Sequence, residues 1–362
     1  MSELIPALRT PVAEPGSGAV TIGMPVSRVD GRDKVMGRAR YAAEHQPEDA
    51  GQPLLYGVVV NSTIARGKIK AIDSSAARAV PGVVEVITHE NRPSMSRFDL
   101  MHKDMTAPGG SPFRPLYDNK VRYSGQPLAL VVADTFEAAR HAAGLLKIDY
   151  DVDNHQTDIR AHIDKARTPS HLKAGYTPPP KPKGHPDEVW EKSAVRVDSE
   201  FHEGVEHHNP LEMFASTVLR GADGHLTIYD KTQSSQNSRW YVYHVFGIPK
   251  EKVTVRNPYV GGAFGSGLRP QYQLPLAVMA ALKLERSVRV VMTRQQMFTF
   301  GHRPDTIQRV RLSAEYDGTL TAIIHEAVHE TSRLEDYVEG VVNFSGMMYK
   351  CEHIRLGYKV IE

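Results

Sequence analysis

The sequence of 362 residues has one cysteine, Cys351, and two tryptophans. One thiol makes no disulfide framework. It also excludes a zinc site of four thiolates and an iron–sulfur cluster held by about four cysteines. Neither sign of charge dominates: 44 Lys+Arg stand against 42 Asp+Glu, a formal net charge of +2. There is then no electrostatic case for nucleic acid or an anionic membrane as the main partner. Long apolar runs are missing too. Residues 1–23 show no basic stretch followed by an apolar one and no arginine pair, and no run approaches the ~20 apolar residues that span a bilayer. The expectation is a chain without its own signal peptide. It would be cytoplasmic, or periplasmic if co-exported with a signal-bearing partner. Pro11, Pro15, Gly16 and Gly18 give residues 1–22 the composition of a flexible tail. The remainder is ordinary for a globular protein, with 41% hydrophobic and 24% charged residues. At ~150 residues per domain the length predicts two or three domains, enough to bury a core without covalent staples.

Three stretches separate by composition. In residues 23–153, short β-branched runs at 54–60, 83–88, 128–133 and 147–151 read as strands. Asp73-Ser74-Ser75 starts a short helix that stops at Pro81-Gly82, and Asp134-Thr135 caps an alanine-rich helix over 136–145. Residues 154–188 carry Pro169, Pro178, Pro179, Pro180, Pro182 and Pro186 among lysines, the composition of a semi-rigid linker. Residues 189–362 are richer in strands, at 195–201, 213–219, 225–229, 253–255 and 288–292. Asp223-Gly224 marks a hairpin turn. Ser234-Ser235 opens a helix to Phe246 with Gly247 at its C′ position, and a second helix runs from Pro275 to Leu284. A long hairpin turns at Asp317-Gly318. The fold class is α+β.

Several motifs invite a chemical reading. His325-Glu326-Ala327-Val328-His329 matches the H-E-x-x-H zinc pattern, which needs a helix to bring both histidines within ~6 Å. Here the alternation of Leu320, Ala322 and Ile324 predicts a strand, on which the two imidazoles sit ~13 Å apart. That span cannot serve one zinc with ~2.1 Å bonds. The expected role is a solvated edge of a hairpin strand. His207-His208 belongs to extended backbone, where neighbours diverge, so it reads as the polar wall of a pocket and not as a metal site.

The glycine loop, Asn257-Pro258-Tyr259-Val260-Gly261-Gly262-Ala263-Phe264-Gly265-Ser266-Gly267, lies between a strand and a helix. Its free N–H groups favour an anion such as phosphate or an oxo group. It lacks the Gly-Lys-Ser/Thr of a P-loop and the in-frame Gly-x-Gly-x-x-Gly of a dinucleotide fold. The alternative is a tight turn packed under Phe264. Gln233, at a strand-to-helix switch, can donate to a ligand oxygen while its carbonyl is held elsewhere.

The order of these features resembles a known family. Lys34-Val35-Met36-Gly37-Arg38-Ala39-Arg40-Tyr41, Ala71-Ile72-Asp73-Ser74-Ser75-Ala76-Ala77 with Pro81-Gly82-Val83-Val84, and residues 121–133 (VRYSGQPLALVVA) resemble the α/β hammerhead domain of the xanthine dehydrogenase/aldehyde oxidase superfamily. His208-Asn209-Pro210-Leu211-Glu212, Thr232-Gln233 and Gly261-Gly262-Ala263-Phe264-Gly265 resemble its first molybdenum-binding domain. Residues 261–270 (GGAFGSGLRP) look most like the molybdenum-binding subunit of bacterial periplasmic aldehyde oxidoreductases. The resemblance implies a hammerhead domain at 23–153, a linker at 154–188, and a first molybdenum-binding domain at 189–362 that is incomplete relative to the family.

It further implies molybdopterin cytosine dinucleotide, its molybdenum held by the pterin with no protein ligand. Gln233 matches a glutamine that hydrogen-bonds an oxygen ligand of the metal. Gly261, Gly262, Ala263, Phe264 and the amide of Gly265 match the loop beneath that centre. Leu268 stands where purine-oxidising relatives carry glutamate, which points to aldehydes, aromatic ones among them, as substrate. Iron–sulfur clusters and FAD are expected on partner subunits. The catalytic base, a glutamate, is expected beyond Glu362, so this chain alone is expected to be inactive. The runner-up is a cofactor-free scaffold or binding module.

Overall fold

A computed structural model describes residues 27–47, 53–102, 114–169, 178–333 and 337–362. The expected tail at 1–22 lies outside these residues. Fourteen strands run in chain order among them: β1 (Leu55–Asn61), β2 (Gly67–Asp73), β3 (Val83–Thr88), β4 (Lys120–Val121), β5 (Pro127–Ala133), β6 (Lys147–Val152) and β7 (Val195–Glu203), then β8 (Ala215–Arg220), β9 (Leu226–Asp230), β10 (Val253–Arg256), β11 (Val288–Val291), β12 (Thr306–Ala314), β13 (Leu320–Glu330) and β14 (His353–Ile361).

Seven of them form the central sheet, in the order β10-β9-β8-β11-β1-β5-β3. Every residue of β5 is buried, which a two-faced core requires. Alternate residues serve the two faces. Leu130 and Val132 join Leu55, Val59 and Ile87 in the larger core, beneath the helices Ser235–Phe246 and Gln273–Leu284. Val131 joins Val86, Ala77 and Ala142 in a smaller one, beneath Ser75–Arg78 and Phe136–Leu145.

This sheet crosses the composition boundary. β1, β3 and β5 precede the Pro-rich segment, β8 to β11 follow it, and β1 pairs in parallel with β11 through Leu55↔Val288. An apolar strand such as β1 needs partners on both sides, and the chain supplies one of them from far downstream. A four-stranded sheet, β14-β13-β12-β7, and a three-stranded sheet, β4-β2-β6, complete the architecture.

The helices expected at 136–145 and up to Phe246 occur as read. Thr135 Oγ1 accepts from Ala138 N, and Ser234 Oγ from Asn237 N. Gly247 closes the second of these helices at φ 64°. The helix expected from Pro275 starts two residues earlier, at Gln273. Ser74 makes no side-chain cap; instead Asp73 Oδ1 accepts from the Ser75 amide at 3.0 Å. The Pro-rich segment is more than a spacer. Arg167 pairs with Val360 and Lys183 with Ile354 along the edge of β14, and Pro186–Lys192 is helical. Pro186 at the first helical position costs no hydrogen bond, because that N–H has no partner inside a helix.

The H-E-x-x-H segment is a strand, β13, but the expectation of a solvated edge is wrong. β13 lies between β12 and β14, the latter pairing in parallel. His325 is 7% exposed and His329 fully buried. Among the described residues, no helix is long and apolar enough to cross a membrane.

Candidate functional site

β9 and β10 are adjacent and parallel, with Tyr229 opposite Arg256. Both therefore end on the same side, where ligands of parallel sheets tend to bind. β9 leads through Lys231-Thr232-Gln233 into one helix, and β10 leads through the glycine loop into the other. The two connections are stitched together. Gln233 N donates to Gly267 O at 2.8 Å, and Thr232 Oγ1 donates to the same oxygen at 3.1 Å. Asn257 Nδ2 donates to Thr232 O, and Asn237 Nδ2 to Leu268 O at 3.0 Å.

The Gln233 side chain is exposed. Its Oε1 accepts from Gly265 N at 3.0 Å and from Gly267 N at 3.1 Å. Two converging N–H donors identify that end as the carbonyl, so the NH2 group is the end left for a ligand.

Gly261 is clamped by Glu212. The Gly261 amide donates to Glu212 Oε2 at 2.7 Å and the Glu212 amide to Gly261 O at 3.0 Å. A Cβ on Gly261 would meet Glu212 Cβ at 2.5 Å, so only glycine fits there. Burial raises the Glu212 carboxyl pKa. The turn bearing Glu212 is itself held by Arg294, whose guanidinium donates to Asn209 Oδ1 at 2.9 Å and to Leu211 O at 2.8 Å.

The expectation that the loop's N–H groups are free is corrected in part. Gly261, Gly265 and Gly267 spend theirs on Glu212 and Gln233, and Ser266 spends its own on Ala263 O. Three consecutive amides, those of Gly262, Ala263 and Phe264, have no acceptor among the described residues. Phe264 sits at φ 56° and is 74% exposed. A bulky residue in the left-handed region is strained, and the Phe264 ring stands over Gly262, its Cε2 and Cζ 3.5 Å from where a Gly262 Cβ would be. The turn does pass under the Phe264 ring at Gly262, but the outer side of that ring is in solvent. Leu268 is 44% exposed, on the same loop.

The structure thus brings Gln233, residues 261–265 and Leu268 into one cradle. His208 borders it: its Nε2 lies 3.7 Å from where a Gly265 Cβ would stand. His207 turns instead to Phe298 and His302, with ring centroids at 4.7 and 5.7 Å. Two residues of the site carry no chemical signal in the sequence. Glu212 looks like a turn carboxylate, and Lys231 like a surface lysine. Among the described residues, no group of three or more His, Cys, Asp or Glu is placed to hold a metal ion. The donor set is amides and a carboxamide. It fits an anionic, oxygen-rich group that brings its metal already bound.

The molybdopterin cofactor-binding domain family matches residues 169–362. The aldehyde oxidase and xanthine dehydrogenase a/b hammerhead domain family matches residues 36–154. The chain belongs to the aldehyde oxidase and xanthine dehydrogenase family of molybdenum hydroxylases. It is similar to the aldehyde oxidoreductase molybdenum-binding subunit PaoC of Escherichia coli, 32% identical over 308 residues, which are 84% of this chain and 40% of that protein. It is 26% identical to the nicotinate dehydrogenase large molybdopterin subunit of Eubacterium barkeri, over 90% of this chain and 74% of that one.

Among solved structures, the aldehyde oxidoreductase from Desulfovibrio gigas superposes with a TM-score of 0.72 at 25% identity, over 92% of this chain and 38% of that one. Quinoline 2-oxidoreductase from Pseudomonas putida 86 gives 0.73 at 22% identity, over 92% of this chain and 44% of that one, a likeness of fold alone. The chain spans about 40% of the length of PaoC.

Proposed function

We propose that this chain holds molybdopterin, in its cytosine dinucleotide form, as the molybdenum-binding part of an enzyme that oxidises aldehydes to carboxylic acids with water as oxygen source. The observation that carries the reading is the Gln233 carboxamide, its carbonyl spent on Gly265 and Gly267 and its NH2 group left over beside three amides without acceptors. When bound, the cofactor supplies two-electron redox chemistry at its molybdenum. The protein's part is to seat it. Gln233 Nε2 donates to an oxygen of the group, and the Gly262, Ala263 and Phe264 amides face its negative charge.

Gly261 and Gly265 serve indirectly, through the clamp to Glu212 and the bond to Gln233. The exposed Leu268 offers apolar surface and no charge, which suits an aromatic aldehyde better than a purine. In this reading, electrons leave through an iron–sulfur subunit and a FAD subunit.

The test is to produce the protein with its neighbouring subunits in cells that make the cofactor. Molybdenum and the cytidine nucleotide released from the pterin are then measured, with turnover of benzaldehyde and of hypoxanthine. We expect stoichiometric molybdenum and a preference for benzaldehyde. Preference for hypoxanthine sinks the substrate assignment. Partner subunits bound without metal or pterin would favour the scaffold reading.

A further inference from the structure

A charged group lies behind the cradle with little to answer it. Lys231 follows β9 directly, its amide tied to Ala215 O at 2.9 Å, and the residue is 1% exposed. An ammonium carries three donors and needs partners once it leaves water. Here Nζ reaches Ser266 Oγ at a long 3.4 Å and lies 4.6 Å over the Phe214 ring. Among the described residues, no carboxylate pairs with it. Glu212 and Asp230 are close enough to favour its charge. Both are committed elsewhere: Glu212 to the amides of Gly261 and Ala42, Asp230 to Ser216, Ser238 and Gln273. His208 is the other titratable group facing it, and would repel it when protonated. Burial dominates and takes the Lys231 pKa down to about 8. Ser266 couples the ammonium to the cradle, because the same Oγ donates to Ala263 O at 2.7 Å.

A buried cation so poorly compensated, joined through one hydroxyl to a run of amides without acceptors, describes half of an ion pair. We infer that Lys231 is a positioning residue whose ammonium is the counter-charge for an anionic oxygen group seated on the Gly262–Phe264 amides, and that it steadies that seat through Ser266. The cofactor reading above supplies only the identity of the anion. Seating the anion favours the charged lysine, so the anion binds less tightly once Lys231 loses its proton.

The test uses the purified chain and inorganic sulfate, whose charge is constant above neutral pH. Affinity is measured by calorimetry at pH 7 and 9.5, and melting temperature without sulfate. Lys231→Met is expected to weaken sulfate about tenfold at pH 7 while leaving the melting temperature unchanged or raised, since it removes a buried charge at similar volume. Lys231→Arg is expected to stay within about threefold of the wild type. Wild-type affinity falls between the two pH values, and that of Lys231→Met does not. The inference is overturned if the wild type binds no sulfate, or if Lys231→Met binds it as tightly. A lower melting temperature with unchanged affinity would also overturn it, by making the lysine merely structural. Molybdenum content of the two proteins separates this from the cofactor reading. Sulfate binding lost in Lys231→Met with no molybdenum in either protein refutes the cofactor and keeps the lysine. Full molybdenum in both, with equal sulfate affinity, does the reverse.

Discussion

The glycine loop and strand β13 both carry a motif that advertises ligand binding, and they treat their polar groups in opposite ways. On β13 every advertised group is used. His325 Nδ1 meets Ser345 Oγ at 2.8 Å and Nε2 meets Gln308 Oε1 at 3.0 Å. His329 bonds the Glu330 carbonyl at 3.0 Å and accepts from Glu339 N at 3.3 Å. Glu326 is shared by Arg311 and Arg355 at 3.2 and 2.7 Å. The loop uses just enough of its groups to fix its shape and leaves three amides and a carboxamide NH2 over. Residue types alone do not separate a site from a scaffold. What separates them is whether the fold has already satisfied the groups.

That contrast can be broken by experiment. The largest effect is expected from Gly261→Ala, whose new Cβ collides with Glu212 and opens the clamp. Overpacking of this kind costs about 1–3 kcal/mol, to be read by denaturant unfolding, with loss of bound molybdenum in the same protein. A fully stable, cofactor-loaded variant would mean the clamp is dispensable. His325→Leu strands Ser345 and Gln308 and is expected to cost about 1–3 kcal/mol with no change in metal content. Zinc lost on that substitution would restore the metal reading of β13.

Gln233→Ala is exposed, so water replaces its two loop bonds and stability should fall by only about 1 kcal/mol, while molybdenum occupancy falls sharply. The reverse pattern would make Gln233 structural. The smallest effect is on pH dependence. Burial holds the His325 pKa below that of the unfolded chain. The unfolded state therefore binds more protons as pH drops below ~6.5, and stability declines there. His207 and His208 act in the same direction. Melting temperatures from pH 8 to 5 should fall less steeply in His325→Leu than in the wild type, and equal slopes would show that His325 does not contribute.

Local rules carried the sequence reading a good distance. Thr135 and Ser234 cap the helices they precede, Gly247 ends one, and Asp223-Gly224 turns the hairpin between β8 and β9. All of these depend on neighbours within a few residues. Residues 320–324 likewise identified β13 as a strand. Its burial escaped, because that depends on pairing with β14, whose own residues alternate regularly but lie about 30 residues away in the chain. The cradle was half legible. Glycine spacing located the loop and the resemblance named Gln233. Which amides remain unspent is decided by Glu212 and Gln233, which reach the loop from other connections, and no local pattern announces those bonds. The Pro-rich composition, read as a spacer, said nothing of the two bridges it makes to β14, since backbone pairing at a sheet edge is nearly indifferent to side chain.

The parallel pairing of β1 with β11 also has a consequence for how the protein is made. During synthesis β1, β3 and β5 emerge first, and β1 then presents an unpaired edge until residues 288–290 arrive, more than two hundred residues later. An apolar strand with an open edge is a template for wrong partners. β8, β9 and β10 can pair with one another in the meantime, but they join β1, β5 and β3 only through β11. The two halves of the central sheet are thus joined at one seam, β1 against β11, whose two sides lie more than two hundred residues apart.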